Sequence, residues 1–229
     1  MSILETVKTW VKHETQHRAA VVQVRTLQGV LRHITLEAES FKHMTDYAPG
    51  RAVSVYIDGA TQRVGRKYSV YRFDATRGRI ELLVHLHGRG PGSAWASLLT
   101  VGDNVWLRGF SGRVTLDLAR QTHWFFGDAT TLAPFAAISR AAQGRCEGFI
   151  EGDTRIASLL DELELPFTWL DQAGGKASRQ PAMARMLDLP TPAAIYIAGA
   201  AQTVRAVQDI LLFERGLDRT SVRPKPFWG

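Results

Sequence analysis

The rhythm of apolar residues changes once along this chain, and that change limits the folds open to it. From about Ala19 to Leu118 the sequence runs in short stretches rich in Val, Ile, Thr and Tyr, broken by Gly, Pro and Asp at intervals typical of a barrel. Val53, Val55 and Ile57 alternate with smaller or polar residues, Arg79–His85 and Asn104–Arg108 behave alike, and Pro49-Gly50 and Gly102-Asp103 mark turns that introduce strands. After about Asp117, buried-looking strands at Trp124–Gly127, Gly148–Glu151, Phe167–Asp171 and Ile195–Gly199 alternate with helical stretches, the pattern of a parallel sheet. The clearest helix spans Thr203–Arg215, with Val204, Val207 and Leu211 on one stripe and Gly216 as its stop, and a last strand carries Ser221–Trp228. Two domains are therefore expected: an antiparallel β-barrel over residues 1–118 and an α/β domain with a parallel sheet over residues 119–229.

With 229 residues, 45% of them hydrophobic, the chain has core material enough to fold without staples. Its single cysteine, Cys146, excludes an internal disulfide, and Met1–His17 is too charged to contain the apolar core of a secretory signal. No apolar run approaches the roughly 20 residues that span a bilayer; the best candidate, Ala193–Ala201, reads as a buried strand. A cytoplasmic location without membrane insertion is the expectation. The net charge of +6 is dominated by arginine, which suits phosphate, carboxylate and other planar anions. Apart from Arg215, Arg219, Arg223 and Lys225 the basic residues are scattered, and no zinc-finger or aromatic RNA-binding motif accompanies them, so no nucleic-acid partner is expected.

Two blocks carry the chemistry of the first half. In Arg66-Lys67-Tyr68-Ser69, an arginine able to clamp a phosphate stands two positions before a tyrosine able to lie against a flat ring, on one strand face. By itself the block reads equally as an exposed strand with a surface Arg and a half-buried Tyr. About twenty residues on, Gly88, Gly90 and Gly92 bring backbone within reach of an anion, and Ser93 stands at the expected N-cap of a helix over Ser93–Leu99. An ordinary loop between barrel strands is the competing reading, and the block is not a dinucleotide-fold fingerprint. His85 and His87 share a strand face but have no cysteine or carboxylate at suitable spacing, and the histidines at 13, 17, 33, 43 and 123 are dispersed, so no protein-bound metal is expected. No nucleophile–histidine–acid arrangement stands out.

In their order and spacing these blocks resemble the ferredoxin-reductase superfamily, and within it the siderophore-interacting proteins. The family's Arg-x-Tyr-Ser/Thr motif is matched by Arg66-Lys67-Tyr68-Ser69, and its His-Gly…Gly-Pro-Ala-Ser-x-Trp-Ala segment by His87-Gly88-Arg89-Gly90-Pro91-Gly92-Ser93-Ala94-Trp95-Ala96. Gly102-Asp103-Asn104-Val105 matches a Gly-Asp-x-Val strand, Gly127-Asp128-Ala129-Thr130 a Gly-Asp-x-Thr turn, and Phe227-Trp228 a closing aromatic pair. Ala198-Gly199-Ala200 departs from Ala-Gly-Glu, Gly92 replaces an alanine, which reads as a mild change, and the basic tail that relatives often carry does not follow Trp228.

The resemblance implies a FAD-dependent reductase that passes electrons from NADPH or NADH to Fe(III) held in a siderophore or other ferric chelate, across a cleft shared by a FAD-binding barrel and a nucleotide-binding domain. It places Arg66 on phosphate or ribityl oxygens, Tyr68 on the isoalloxazine and Ser69 near its N5, with Lys67, His85, His87, Gly88, Gly90, Gly92, Ser93, Ala94 and Trp95 around the rest of the cofactor. Gly127, Asp128, Thr130 and Gly199 would meet the nicotinamide nucleotide, although a Gly-Asp turn after a strand is common without any ligand. Arg223, Lys225, Phe227 and Trp228 would meet the iron complex; read by themselves, the cations solvate a strand end and Trp228 closes a core. Lys176 and Arg179 are candidates for a ribose 2′-phosphate. A ferredoxin- or flavodoxin–NADP reductase exchanging electrons with ferredoxin, a flavin reductase, and a non-enzymatic carrier are the alternatives.

Overall fold

The computed structural model describes residues 16–58, 63–172, 177–190 and 192–229, and the chain divides into two compact units, Met1–Gly112 and Arg113–Gly229. In the first, strands β1 (Gln16–Leu27), β2 (Leu31–Glu37), β3 (Ala52–Asp58), β4 (Arg63–Asp74), β5 (Arg79–His85) and β6 (Asn104–Ser111) close into an antiparallel barrel of order β1-β2-β5-β4-β3-β6. Closure leaves no free sheet edge, because β6 pairs back onto β1. Alternation supplies the core: Val21, Ile34, Leu36, Val53, Val55, Ile57, Ile80, Leu82, Val105 and Leu107 all point inward. A helix, α1 (Gly90–Leu98), separates β5 from β6 and places Ala96 in that core.

The second unit is a five-stranded sheet of order β11-β10-β7-β8-β9, built from β7 (Thr122–Asp128), β8 (Arg145–Gly152), β9 (Thr168–Asp171), β10 (Ala194–Ala200) and β11 (Val222–Trp228). Every pairing in it is parallel. Helices α2 (Leu132–Ala141), α3 (Thr154–Glu162), α4 (Gln180–Met186) and α5 (Ala201–Asp209) make the crossovers. The middle strands β7 and β10 are buried along nearly their whole length, as strands covered on both faces must be. Both halves of the expected architecture are therefore present. Among the described residues, no helix is long and apolar enough to cross a membrane.

Two helices differ in detail from the sequence reading. The helix expected over Thr203–Arg215 is α-helical through Asp209 and continues as a π-helical turn over Ile210–Glu214. The wider turn keeps Ile210 and Leu211 buried while leaving Phe213 exposed. Gly216, at a φ of 65°, does end it, and Leu217 N–H closes back onto Leu211 O at 2.9 Å. The other difference, at the start of α1, bears on the site described below.

The division at Gly112 falls ahead of the expected 118/119 boundary, and Asp117 supplies a reason. Its N–H donates to the Tyr196 hydroxyl at 2.9 Å and its carboxylate pairs with Arg223, so this stretch is tied to the start of the parallel sheet. Burial opposes ionisation of Asp117, but the Ala119 N–H and the Arg223 and Arg120 guanidinium groups prevail and hold its carboxyl below the ordinary range. Beside it His123 is 1% exposed, stacks on Tyr196 with ring centroids 6.1 Å apart, and has a buried Nδ1 with no partner among the described residues.

Burial lowers the His123 pKa below its ordinary 6.5. The unfolded chain therefore binds a proton at this residue before the folded protein does, and stability is expected to fall as pH drops below about 6.5. Urea midpoints measured from pH 7.5 to 5 should decline in the native protein and decline less in His123→Phe.

Candidate functional site

Strand alternation divides the Arg66–Ser69 block. Across β3, Arg66 lies opposite Val55 and Tyr68 opposite Val53, whereas Lys67 lies opposite Ser54 and Ser69 opposite Ala52. Directly opposed residues share a face, so Arg66 and Tyr68 stand together and Lys67 does not join them. The grouping implied for Lys67 is corrected accordingly: it lines a cavity with Ser54 and Arg108. The Tyr68 ring stacks on Trp95 of α1, centroids 5.4 Å apart and planes 26° apart. Burial pushes its pKa up to about 12 against the pull of the Arg66 charge, so the phenol stays protonated. Among the described residues, the Arg66 guanidinium meets the carbonyl of its neighbour Gly65, at a long 3.4 Å, and forms no ion pair.

The glycine block folds as a turn into α1. Gly88 and Gly90 have φ of 73° and 74°, the left-handed region that glycine enters without cost. A side chain at either would meet nothing within 4 Å, so this backbone is open. The helix begins at Gly90 with Arg89 as N-cap and Pro91 in its first turn, which corrects the expected start at Ser93. Proline is pre-set for a first turn and allows the earlier start. Ser93 is buried, and its hydroxyl accepts the N–H of Gly88 at 3.1 Å. The His87 Nδ1 accepts the N–H of Arg89 at 3.2 Å, and the His87 ring lies 6.1 Å from that of His85. These two side chains hold the loop, while no side chain caps the start of α1. Ala94 is exposed on the helix and Trp95 packs on Tyr68.

Gly92 proves stricter than the mild change read from the sequence. A Cβ at this position would stand 2.6 Å from the Tyr68 hydroxyl, so alanine would displace the ring. A guanidinium without an ion pair among the described residues and an uncapped helix start rich in glycine offer donors to a pyrophosphate, and a neutral phenol ring offers a face to a flat heterocycle. The residues present fit a flavin dinucleotide.

In the second unit the strand order reverses between β7 and β10, and the carboxyl ends of such strands are where open α/β sheets bind ligands. Asp128, at the end of β7, occupies this point. Its Oδ1 accepts the Thr130 N–H at 2.9 Å and the Thr130 hydroxyl; its Oδ2 accepts the Ala200 N–H at 3.1 Å and the Trp228 indole N–H at 3.0 Å. Gly199, at a φ of 112°, is needed because a Cβ there would come within 2.7 Å of the Asp128 carboxyl carbon. Gly127 is needed because a Cβ would stand 2.6 Å from the Phe135 ring. The structure thus gathers Gly127, Asp128, Thr130, Gly199 and Trp228, with their polar atoms engaged by one another.

Trp228 is 54% exposed, so the core reading of this residue does not hold. Lys225 lies over the Phe227 ring, 5.2 Å from its centroid. Arg223 differs from Lys225, two residues further along the strand, in that its guanidinium is bound to Asp117. The grouping of Arg223 with the iron-complex contacts is corrected on that ground.

Sequence reading missed Glu151 and Gln180. Glu151, 2% exposed at the end of β8, accepts the Ser178 hydroxyl at 2.8 Å and the N–H groups of Arg179 and Gln180. The Gln180 amide then donates to Gly127 O while its own buried Oε1 has no partner among the described residues. An acidic residue closing the apolar run Phe149-Ile150 was the available signal. Lys176 lies outside the described residues. Burial raises the Cys146 thiol to about 11, leaving it unreactive.

Residues 120–229 match the family model of siderophore-interacting proteins, and residues 18–116 match that of an oxidoreductase FAD-binding domain. Among solved structures, a siderophore-interacting protein from Acinetobacter baumannii is 21% identical, with 93% of this chain and 90% of that one covered and a TM-score of 0.78. The siderophore-interacting protein SipS from Aeromonas hydrophila is 18% identical, covering 93% and 98% with a TM-score of 0.74. A ferredoxin reductase of carbazole 1,9a-dioxygenase is 20% identical, covering 93% and 69% with a TM-score of 0.74. These three are likenesses of fold.

Asp128→Ala removes the acceptor for Ala200, Thr130 and Trp228 together. It is expected to cost about 1 kcal/mol or more, since two part-buried N–H donors and the exposed indole lose a shared acceptor. Denaturant unfolding checks the loss, and a red-shifted tryptophan emission should report the freed indole.

Proposed function

We propose that the chain is a ferric-siderophore reductase of the ferredoxin-reductase type that draws electrons from NADPH or NADH, a reading supported by the match of residues 120–229 to the family model of siderophore-interacting proteins and of residues 18–116 to that of an oxidoreductase FAD-binding domain. The observation that carries this reading is the Arg66 guanidinium beside Tyr68, which forms no ion pair among the described residues, with the uncapped, glycine-rich start of α1 nearby in sequence to the Trp95 that Tyr68 stacks on. FAD held there supplies the conversion between a two-electron hydride donor and a one-electron ferric acceptor.

In this proposal Arg66 neutralises the pyrophosphate, and backbone N–H groups of Gly90, Gly92 and Ser93 share that task. Tyr68 presents a neutral ring face to the heterocycle, and Trp95 fixes its angle. Ser69 offers its hydroxyl to the edge of the ring. Ser93 and His87 act indirectly, by holding the loop. The end of the parallel sheet at Gly127, Asp128, Thr130 and Gly199 receives the nicotinamide nucleotide, with Asp128 as a brace whose oxygens are already engaged. Lys225, Phe227 and Trp228 meet the ferric complex. Fe(III) is the harder ion, so its reduction weakens the hold of anionic oxygens and releases the metal. The chemistry asks no side chain to act as nucleophile or general base.

Protein as purified should be yellow, and anaerobic NADPH or NADH should bleach the flavin band. Ferric reduction should be faster with ferric siderophores than with ferredoxin; the reverse ranking would make the chain a ferredoxin–NADP reductase. Arg66→Ala should retain FAD at least about tenfold less well, the loss expected of a charged hydrogen bond, with an unchanged far-UV circular dichroism spectrum. Full flavin content in that variant would remove Arg66 from the site.

A further inference from the structure

The outer face of the barrel carries an arrangement that the flavin reading does not use. Lys67, turned away from Arg66 and Tyr68, lies opposite Ser54, and Ser54 lies opposite Arg108 on the other side. The neighbouring row on this face is Arg18, Trp106, Tyr56 and Gly65, each opposite the next. Two rows on four adjacent strands thus surround the half-buried rings of Trp106 and Tyr56 with Lys67, Arg108 and Arg18. Gly65 leaves an edge of the Tyr56 ring uncovered that a Cβ there would touch, at 3.8 Å.

Beside these rows the ladder is irregular. Ala52 pairs with Ser111 while Ser54 pairs with Arg108, so β6 carries an extra residue and bulges. A cavity of about 440 Å³ opens there, lined by Ser54, Lys67, Arg108, Phe110, Met44 and His17 among others, a volume within the range of small-molecule sites. The carboxylate in its lining, Asp46, is occupied by Arg51 at 3.2 Å. Among the described residues, Lys67 and Arg108 form no ion pair, and nothing engages the Ser54 hydroxyl. Arg18 is bound to Asn104 at 3.0 Å. Strands β4 and β6 each lie about 4.8 Å from β3, so two long cationic side chains flank one hydroxyl within reach of a single oxyanion. The aromatic row stands about 7 Å further along the strands.

We propose that this face is a second binding site, taking an aromatic ligand that carries a phosphate or carboxylate. The oxyanion sits between Lys67 and Arg108 on the Ser54 hydroxyl, and the planar ring lies against Trp106 and Tyr56. The site does not rest on the flavin reading, because Arg66 and Tyr68 belong to the opposite strand face. A nucleoside monophosphate and an aryl carboxylate share this chemistry, and the titration separates them.

The test is calorimetric titration of the full chain, both FAD-saturated and flavin-free, with AMP, with 2,3-dihydroxybenzoate and with inorganic phosphate. One of the two aromatic ligands should bind both forms, and phosphate about tenfold or more weakly. Arg108→Gln and Trp106→Leu should each weaken that binding about tenfold while leaving the flavin content unchanged. Absence of binding by both aromatic ligands overturns the proposal, as does equal binding to Arg108→Gln. Binding confined to flavin-free protein and displaced by FAD also overturns it, since the cavity would then belong to the cofactor. A chain that takes up no FAD but binds the aromatic ligand would overturn the flavin reading and leave this site standing.

Discussion

The Asp128 carboxylate is the point on which the second half of the molecule converges. Three strands end around it: β7 contributes the residue itself, β10 the Ala200 N–H and β11 the Trp228 indole. A charged acceptor at this point offsets the unmet donors of a helix start that lacks its own cap, for α5 follows Ala200, whose side chain cannot accept a hydrogen bond. The requirement for glycine at 199 follows from it, because the carboxylate leaves no space for a Cβ. The reversal of strand order, the exposed Trp228 and the glycine at 199 are thus linked through one side chain.

A comparable economy governs the barrel. One strand carries Arg66 and Tyr68 to one side and Lys67 to the other, so a single tetrapeptide serves two surfaces of different chemistry. The side with Arg66 and Tyr68 is set by α1, whose Trp95 fixes the tyrosine ring and whose Gly92 leaves room for its hydroxyl. The other side is set by cross-strand neighbours and by the bulge at the end of β6. Burial keeps Tyr68 protonated while Arg66 stays exposed, which separates an apolar ring contact from a hydrated charge within three residues.

Much of the architecture was legible because it is written in periods. The alternation through Val53, Val55 and Ile57, and the buried runs around Trp124–Gly127 and Ile195–Gly199, report burial on one face or two without reference to distant residues. The π-helical turn over Ile210–Glu214 was not legible, since an α-helix and its one-residue bulge share nearly the same apolar spacing. Nor was the helix start at Gly90, where Ser93 carried the ordinary cap signature but found the Gly88 N–H instead.

The candidate site divides in the same way. Residue types and spacing determined that an arginine, a tyrosine and a glycine-rich turn would belong to one half of the chain, and that the other half would be a parallel sheet, because local sterics and hydrophobic periodicity act over a few residues. Tertiary structure alone decided which polar groups remain free. Arg223 is paired with Asp117, Glu151 is filled by Ser178 and its neighbours, and Asp128 by Ala200 and Trp228, whereas Arg66, Lys67 and Arg108 form no ion pair among the described residues. Such pairings join residues far apart in the chain, and a charge is available to a ligand when folding has brought no partner to it.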